Sequence, residues 1–244
     1  MAKLGPNSPL LLAHRGARRV EAENTIGAFT RAIEMGADGV ELDVHRTDDD
    51  VLIVHHDADI PGLGIISDLS AQVIRSERHD IPTLDEVFSA CPNCIINVEI
   101  KNAPGDLDYD ESNRVADLVV DAVANQPCPD DVIVSSFNIA SIDRVKDLSP
   151  ALRTGFLVSP TLDLTTAATL TCDHGHSAVH PFILMLGGEL GSEFIETAHS
   201  LGLSVNVWTV NEASDIEHSI KIGVDAIITD VPDLAKAVQR SVTS

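Results

Sequence analysis

The feature that most constrains the fold is the regular alternation of short apolar segments with helical patterns along the whole chain. Nine segments have the length and composition of strands: Leu10–His14, Gly39–His45, Val51–His56, Ile95–Lys101, Val132–Phe137, Arg153–Val158, Ala178–Pro181, Ser204–Val210 and Ala226–Asp230. Helical patterns lie between most of them: Thr25–Met35, Leu84–Ala90, Glu111–Asn125, Ile139–Lys146, Glu193–Leu201, Ala213–Ile222 and Leu234–Ser241. Strands that alternate with helices predict parallel βαβ units.

The loop between the second and third segments reduces the nine strands to eight repeats. Residues 45–50 are too few for a parallel crossover, which needs a dozen or more residues. Val51–His56 is therefore predicted to fold back antiparallel on Gly39–His45 as a hairpin arm. Eight βα repeats remain, and 244 residues match the ~250 of a closed (β/α)8 barrel. The sequence predicts one α/β domain over residues 1–244, a single TIM barrel with this arm after strand 2.

The charge and composition exclude several classes of function. The chain has 38 Asp and Glu against 16 Lys and Arg, a formal net charge of −22, and only 3% aromatic residues. Such a chain repels nucleic acids and anionic membranes and offers few rings for base stacking. We expect no nucleic-acid partner and no stable membrane association. The start of the chain has no signal-peptide pattern, so we expect a cytoplasmic location.

Charged side chains gather at the predicted carboxyl ends of the strands, where TIM-barrel active sites lie. Glu41 and Asp43 are two residues apart on one strand, so they share a face, and Glu99 and Lys101 do the same on another. The intervening apolar side chains then point outward toward the helices. Three carboxylates and one lysine are therefore predicted to converge on the barrel axis.

A cluster of three carboxylates is costly to ionise without a cation. An all-oxygen ligand set favours Mg²⁺ or Ca²⁺ over zinc. The alternative is a set of buried carboxylates that pair with Arg15 and Lys101. With a cation present, Arg15 and Lys101 are instead free to contact an anionic substrate, and arginine suits a bidentate contact with phosphate.

Two histidines, His14 and His56, come from different segments but reach the same rim of the predicted barrel. Two imidazoles on either side of a phosphate can act as base and acid, since each has a pKa near the working pH. Either histidine alone is better interpreted as a structural residue. Together, beside the acidic cluster, they predict acid–base catalysis.

An ordered series of motifs runs from Leu11 to Pro232: LLAHRG, EAENTIGAF, GADGVELDVHRT, VLIVHHD, IPTLDEV, INVEIK, SSFN, NVWTVN and GVDAIITDVP. This series resembles the glycerophosphodiester phosphodiesterase family. The resemblance implies a metal-dependent TIM barrel that hydrolyses glycerophosphodiesters, such as glycerophosphocholine and glycerophosphoethanolamine, to glycerol 3-phosphate and an alcohol.

The resemblance also implies roles for individual residues. Carried over by motif, the catalytic pair is His14 and His56. The ligands of one divalent cation, Mg²⁺ or Ca²⁺, are Glu41, Asp43 and Glu99. The substrate contacts are Arg15, Lys101 and Trp208. Phe137 either lines the pocket or belongs to the barrel core.

The segment after His56 departs from the family pattern. Many family members have HDPTLDRTT there, followed by a small insertion that caps the barrel, whereas this chain has HDADIPGLGIISDLSAQVIRSERHD. We interpret the segment as a reduced cap. A smaller cap could admit bulkier head groups or lipid-bearing substrates, so a lipid-cleaving relative such as a lysophospholipase D or sphingomyelinase D stays an alternative. A separate alternative is a non-catalytic barrel that binds glycerophosphate.

Cysteine and histidine residues that precede strands form a separate group. Cys91-Pro-Asn-Cys94, Cys128 and Cys172-Asp-His174-Gly-His176 are predicted to lie at the amino-terminal end of the barrel, opposite the active site. We expect the four cysteines to be free thiols, because the chain is long and predicted to be cytoplasmic. A zinc site at this end is the alternative.

Overall fold

The computed structural model describes residues 8–242, and the predicted domain ends, residues 1–7 and 243–244, lie outside the described residues. Eight parallel strands form the barrel: β1 (Leu10–His14), β2 (Gly39–Arg46), β6 (Ile95–Ile100), β7 (Val132–Ser136), β8 (Arg153–Leu157), β9 (Ala178–His180), β10 (Ser204–Val207) and β11 (Ala226–Thr229). Strand β1 pairs with β2 on one side and with β11 on the other, so the sheet is closed. The predicted TIM barrel is confirmed.

The antiparallel arm after the second barrel strand is also confirmed, but it is shorter than predicted. Strand β3 (Leu52–Val54) pairs antiparallel with the end of β2, with Val44 opposite Val54. His55 and His56 therefore lie beyond the strand, in the loop that follows it.

Nine helices surround the described barrel: α1 (Ile26–Glu34), α2 (Ala71–Glu77), α3 (Leu84–Ala90), α4 (Arg114–Ala124), α5 (Ile139–Leu148), α6 (Leu164–Asp173), α7 (Gly188–Ser200), α8 (Ala213–Ile222) and α9 (Pro232–Val242). The sequence did not predict α2, which is only seven residues long, or α6. Helix α6 is rich in threonine, which has low helix propensity, and its apolar residues form no clear stripe. No helix in the described part of the chain is long and apolar enough to cross a membrane.

The reduced cap is a small structure of its own. It contains a hairpin of two-residue strands, β4 (Asp59–Ile60) and β5 (Gly64–Ile65), followed by a short 3₁₀ turn and α2. A satellite apolar cluster holds it to the arm: Ile53, Ile60, Ile66, Ala71, Ile74 and Ile81. The cap is therefore packed against β3.

The two faces of the strands differ in character. The outward residues of β2, Val40, Leu42 and Val44, are fully buried against helix residues such as Phe29 of α1 and Val87 of α3. On the inward side, a small apolar cluster fills the amino-terminal end of the barrel: Leu12, Ile95, Ile133, Ala226 and Ile228. Polar residues occupy the inward positions above it.

Three alternate residues of β6 show this change from apolar to polar side chains along the inside of the barrel. Ile95 belongs to the apolar cluster, Asn97 donates a hydrogen bond to Ser135 Oγ at 2.9 Å, and Glu99 follows at the carboxyl end. The period of two along a strand places all three on the same face. The barrel thus has an apolar floor and a polar upper interior, on which the functional site is built.

Candidate active site

A cavity of about 260 Å³ opens at the carboxyl end of the barrel. Side chains from seven of the eight barrel strands or the loops after them contribute to its wall, together with one that follows the arm. The lining residues are His14, Arg15, Glu41, His56, Asn97, Glu99, Lys101, Ser135, Phe137, Leu157, Trp208 and Ile228. Eight of the nine predicted site residues are in this set, and Asp43 is the ninth.

Glu41, Asp43 and Glu99 form a compact carboxylate cluster. One oxygen of each lies within 4.8 Å of the others, and the residues are 3%, 1% and 9% exposed. Asp43 lies behind the cavity wall, where its Oδ2 accepts a hydrogen bond from Asn24 Nδ2 at 2.9 Å. Glu41 Oε2 accepts one from the backbone N–H of Arg15 at 3.0 Å.

The environment shifts the pKa values of the three carboxyl groups in different directions. Burial raises the pKa of Glu41 well above its usual value, and the neighbouring charges of Asp43 and Glu99 raise it further. Burial also raises the pKa of Glu99, more than the adjacent Lys101 lowers it. Burial acts in the same direction on Asp43, but Lys101 and Arg15 outweigh it, so the pKa of Asp43 lies below the usual value. Asp43 is therefore the member of the cluster that ionises most readily.

Arg15 and Lys101 are the two cations of the cluster. Lys101 Nζ lies 3.0 Å from Glu99 Oε1 and 3.6 Å from Asp43 Oδ1. Burial opposes its charge, but Glu99 and Asp43 raise the pKa of Lys101 above its usual value. Arg15 Nε lies 3.3 Å from Asp43 Oδ2, and its Nη1 donates to Glu23 at 3.0 Å. Both side chains stay positively charged beside the cavity.

A strained turn places Arg15 over the barrel end. Arg15 has a positive φ of 54° and Gly16 a φ of 80°, a region that only the glycine adopts at little cost. A Cβ on Gly16 would lie 2.6 Å from the backbone carbon of Ala28 in α1. The glycine of the HRG motif thus lets the chain turn closely past α1.

His14, at the end of β1, is oriented by a carboxylate from the last barrel strand. Its Nδ1 lies 2.7 Å from Oδ1 of Asp230, which directly follows β11. Oδ2 of Asp230 accepts a hydrogen bond from Asn211 Nδ2 at 2.9 Å. Burial raises the pKa of Asp230, but the hydrogen bonds with His14 and Asn211 and the charges of His14 and Arg18 together lower it by more, so the pKa lies below its usual value. A carboxylate on Nδ1 favours a proton there and leaves Nε2 for the cavity.

His56 has a similar partner, its neighbour Asp57, whose Oδ1 lies 2.7 Å from His56 Nδ1. Burial lowers the pKa of His56 below the usual value, against the opposing effect of Asp43. His55, the other histidine of this pair, does not line the cavity, and its Nδ1 contacts the backbone oxygen of Asp57.

The backbone at His56 is supported by a buried histidine. His45 Nε2 donates to the backbone oxygen of His56 at 3.1 Å, and its Nδ1 lies 2.5 Å from Asp108 Oδ2. The predicted strand ended at His45, whereas β2 continues to Arg46, and His45 is only 1% exposed. Its position near the end of β2 brings the imidazole of His45 under the loop that carries His56.

One wall of the cavity is aromatic. The rings of Phe137 and Trp208 meet edge to face with centroids 5.5 Å apart, and Phe182 packs on the tryptophan at 5.1 Å. Trp208 Nε1 donates to the backbone oxygen of His180 at 2.7 Å, which fixes the indole. Phe137 is 37% exposed and lies in the cavity wall, so it is not a core residue.

The sequence missed three residues that hold the site: Asp57, Asp108 and Asp230. Asp57 and Asp230 lie within the motifs HHD and TDVP, so these motifs could have identified both as site residues. From the motif EAENTIGAF, Asn24 could be interpreted either as part of a helix cap or as a site contact. The sequence allows either Asn24 or Thr25 as the N-cap of α1, but Thr25 is the cap and Asn24 contacts the carboxylate cluster. Asp108 had no signal, since it lies in an irregular loop.

The donor set of the cluster fits a hard divalent cation. All three ligand groups are carboxylates, and two positive side chains against three carboxylates leave one formal negative charge when all are ionised. Burial first, and then the charges of neighbouring carboxylates, raise the pKa values of Glu41 and Glu99, so the fully ionised cluster is costly without a cation. Mg²⁺ and Ca²⁺ prefer such oxygen ligands.

Comparisons with known proteins agree with this geometry. The sequence profile of the Glycerophosphoryl diester phosphodiesterase family matches residues 14–234. A glycerophosphodiester phosphodiesterase of Caldanaerobacter subterraneus subsp. tengcongensis is 34% identical, over 92% of this chain and 95% of its own length.

Solved structures show the same relationship. A glycerophosphodiester phosphodiesterase from Parabacteroides distasonis superposes with a TM-score of 0.85 and 28% identity, over 98% of this chain and 100% of that one. The enzyme from Thermotoga maritima superposes with a TM-score of 0.80 and 27% identity, over 94% of this chain and 98% of that one. The family profile covers nearly all of the described barrel, including every residue of the carboxylate cluster and both cavity histidines. The chain therefore belongs to the glycerophosphoryl diester phosphodiesterase family and is a phosphodiesterase.

Proposed function

We propose that this chain hydrolyses small glycerophosphodiesters to glycerol 3-phosphate and an alcohol. The observation that carries the proposal is the convergence of two carboxylate-paired histidines, two cations and three buried carboxylates on one cavity. The cavity, at about 260 Å³, opens at the carboxyl end of the barrel and suits the polar part of a small phosphodiester.

His14 and His56 are proposed as the acid–base pair. Each has its Nδ1 beside a carboxylate, Asp230 or Asp57, so each presents Nε2 to the substrate. One imidazole accepts the proton of the attacking hydroxyl while the oxygen of that hydroxyl bonds to phosphorus. The other donates a proton to the alcohol oxygen as the bond from that oxygen to phosphorus breaks. Because burial lowers the pKa of His56, we assign the initial base role to His56 and the acid role to His14.

Glu41, Asp43 and Glu99 are proposed to hold one divalent cation, Mg²⁺ or Ca²⁺. When bound, such a cation polarises the phosphate and acidifies a nearby hydroxyl. Arg15 and Lys101 stay charged at the same rim and stabilise the negative charge that grows on the phosphate oxygens.

The aromatic wall is proposed to receive the carbon skeleton of the glycerol. Trp208 is held by its hydrogen bond to the backbone of His180, and Phe137 packs edge-on against it. An apolar wall opposite a charged one orients a substrate with one anionic and one neutral part.

The attacking oxygen is either the glycerol 2-hydroxyl, which gives a cyclic phosphate that water then opens, or water itself. We favour the 2-hydroxyl, because two histidines can exchange their roles between the two steps. Rapid-quench turnover followed by ³¹P NMR separates the two routes. A cyclic phosphate that forms and decays during turnover supports the first route, and its absence at every time point supports the second.

The function is tested by the release of glycerol 3-phosphate from glycerophosphocholine and glycerophosphoethanolamine, with EDTA, with Mg²⁺ and with Ca²⁺. We expect release with a divalent cation, none with EDTA, and recovery when the cation is restored. Failure to release glycerol 3-phosphate under every condition contradicts the proposal. Equal rates with and without EDTA would contradict the role of the carboxylate cluster alone.

A second candidate is a lysophospholipase D-type activity, which is favoured by exposed apolar side chains near the carboxyl end of the barrel. Leu107, Leu184 and Leu190 are 67%, 77% and 71% exposed. They lie in or just after loops that follow barrel strands, and such loops surround the site in this fold. The same assay with lysophosphatidylcholine distinguishes the two activities, since a lipid enzyme turns over this substrate faster than glycerophosphocholine.

A further inference from the structure

A second group of ligand-type side chains lies away from the carboxylate cluster. Asp143 of α5 and the two histidines between α6 and β9, His174 and His176, bring one ligand atom each to within 4.8 Å of one another. His174 and His176 precede β9, so they belong to the amino-terminal end of the barrel, opposite the active site. The proposed catalytic roles use none of the three.

The two distances from the carboxylate are close to those between ligands of a single small cation. Asp143 Oδ1 lies 2.9 Å from His174 Nδ1 and 3.1 Å from His176 Nε2. Two ligands of a tetrahedral Zn²⁺ with bonds of about 2.0–2.1 Å are separated by about 3.3 Å. Both nitrogens therefore lie within about half an ångström of the spacing from the carboxylate that one ion requires.

His176 supplies an independent observation. Its side chain is 0% exposed, and its Nε2 makes no hydrogen bond although Asp143 Oδ1 is 3.1 Å away. The nitrogen is thus aimed beside the carboxylate oxygen rather than at it. In a chelate, the ion lies on the axis of the nitrogen lone pair and the second ligand lies off that axis, which accounts for this orientation.

The surroundings of the three side chains fit a metal site in other respects. The other ring nitrogen of His176, Nδ1, lies 3.0 Å from the buried Thr154 Oγ1, so an outer hydrogen bond fixes the ring as in many metal-bound histidines. His174 and Asp143 are 37% and 35% exposed, which leaves a path for an ion to enter. Lys146, which is also on α5, makes its hydrogen bonds outside this cluster. Its amine donates to backbone oxygens of the loop that follows the helix.

We propose that Asp143, His174 and His176 form a site for Zn²⁺ or a similar transition-metal dication, with a water as the fourth ligand. Two imidazoles and one carboxylate select such ions over Mg²⁺ and Ca²⁺, which prefer oxygen ligands. The ion joins α5 to the loop before β9 and so stabilises this part of the barrel.

The cysteines are not part of this site. All four are free thiols, as predicted. Cys172, which lies close to the two histidines in the sequence, directs its Sγ to the backbone oxygen of Leu201. The ligand set is therefore two nitrogens and one oxygen, with no sulfur.

The test is the binding of Zn²⁺ to the full chain by equilibrium dialysis in millimolar Mg²⁺, added to fill the cation site proposed at the carboxylate cluster. We expect one equivalent of Zn²⁺ per chain and a melting temperature that rises with Zn²⁺ concentration. His174→Ala and the isosteric Asp143→Asn should each weaken Zn²⁺ binding by about 100-fold or more, because loss of even an outer partner of a ligand costs about 10- to 100-fold. Both variants should retain Mg²⁺-supported phosphodiesterase activity, which shows that they are folded.

A matched control exists in His199, whose Nε2 lies 2.8 Å from Asp225 Oδ2 without belonging to a three-ligand cluster among the described residues. His199→Ala should leave the binding of Zn²⁺ unchanged. Unchanged Zn²⁺ binding in His174→Ala and Asp143→Asn would overturn the proposal, as would the absence of any bound Zn²⁺. Loss of the ion only in Glu41→Gln would also overturn it, because the ion would then belong to the carboxylate cluster.

Discussion

Nδ1 of His14 lies 2.7 Å from Oδ1 of Asp230, although 216 positions separate the two residues in the chain. The contact exists because the first and last barrel strands are neighbours: Ala13 pairs with Thr229, so the next residues of both strands meet at the carboxyl end. Closure of the barrel therefore completes one half of the proposed acid–base pair.

Asp230→Asn is expected to lower kcat by about 100-fold or more with little change in KM. An amide beside Nδ1 can accept or donate, so it no longer enforces the tautomer that presents Nε2 to the substrate. Steady-state kinetics across the pH range is the measurement, and the limb of the profile that belongs to His14 should shift. A purely structural role would change stability and leave this pH profile in place.

Removal of either cavity histidine should affect the chemical step and spare the cation. His14→Ala and His56→Ala are each expected to lower kcat by ~10²–10⁴-fold, the range for loss of a general acid or base. Divalent-cation affinity, measured by titration calorimetry, should stay close to that of the wild type.

The neighbouring His55 provides a control for the histidine variants, because its side chain contacts the backbone of Asp57 and not the cavity. His55→Ala should retain nearly full activity. A loss as large as that of His56→Ala would refute the assignment of His56.

Affinity for the divalent cation should fall as the pH falls. Burial raises the pKa of Glu41 and of Glu99, so protons compete with the cation for these carboxylates in the metal-free protein. Each proton released on binding makes the apparent affinity up to about tenfold weaker per unit decrease in pH. Cation titrations of activity between about pH 6 and pH 8 measure this slope.

Glu41→Gln is the variant that isolates the contribution of that carboxyl group. It should bind the cation more weakly and show a shallower dependence of affinity on pH. An affinity equal to that of the wild type would remove Glu41 from the proposed ligand set.

His180 should make the protein less stable as the pH decreases from neutral. It is fully buried inside the barrel, where burial lowers its pKa to about 3 from an ordinary 6.5, and its Nε2 accepts a hydrogen bond from Asn206. Below about pH 6.5 the unfolded chain binds a proton at this residue and the folded chain does not, so protonation favours unfolding. The loss of stability is absent above the unfolded-state pKa and reaches about 2 kcal/mol at about pH 5.

The measurement is denaturant unfolding of the wild type and His180→Gln at several values of pH. The glutamine oxygen can still accept from Asn206, and the variant lacks the titrating ring. The difference in free energy of unfolding between the two proteins should change by about 2 kcal/mol between about pH 7 and pH 5. A difference that is constant with pH would show that folding leaves the pKa of His180 unchanged.

Gly155 leaves the space inside the barrel that the buried ring of His180 fills. A Cβ at Gly155 would lie 2.2 Å from Nε2 of His180, so only a glycine leaves room for the ring inside the barrel. The strand pattern predicted the positions of both residues, but their contact across neighbouring strands was visible only in the folded barrel.

The sequence by itself determined the barrel and the carboxylate side of the site. The alternation of strands and helices is a local pattern, and the short loop at residues 45–50 was enough to identify the antiparallel arm. The period of two along β2 and β6 likewise placed Glu41 beside Asp43, and Glu99 beside Lys101, without knowledge of any distant contact. These features could be predicted because each one depends on residues that are close together in the chain.

Only the tertiary structure decided which groups surround these residues. Asp230 reaches His14 because the last strand closes the barrel against the first. Asp108 reaches His45 from an irregular loop whose path follows no periodic pattern. Such contacts depend on how the sheet closes and how each loop packs against it, and these are properties of the whole folded chain. The physical reason is one of range: strand periodicity repeats every two residues, whereas the carboxylate partners of His14 and His45 come from segments far away in the sequence.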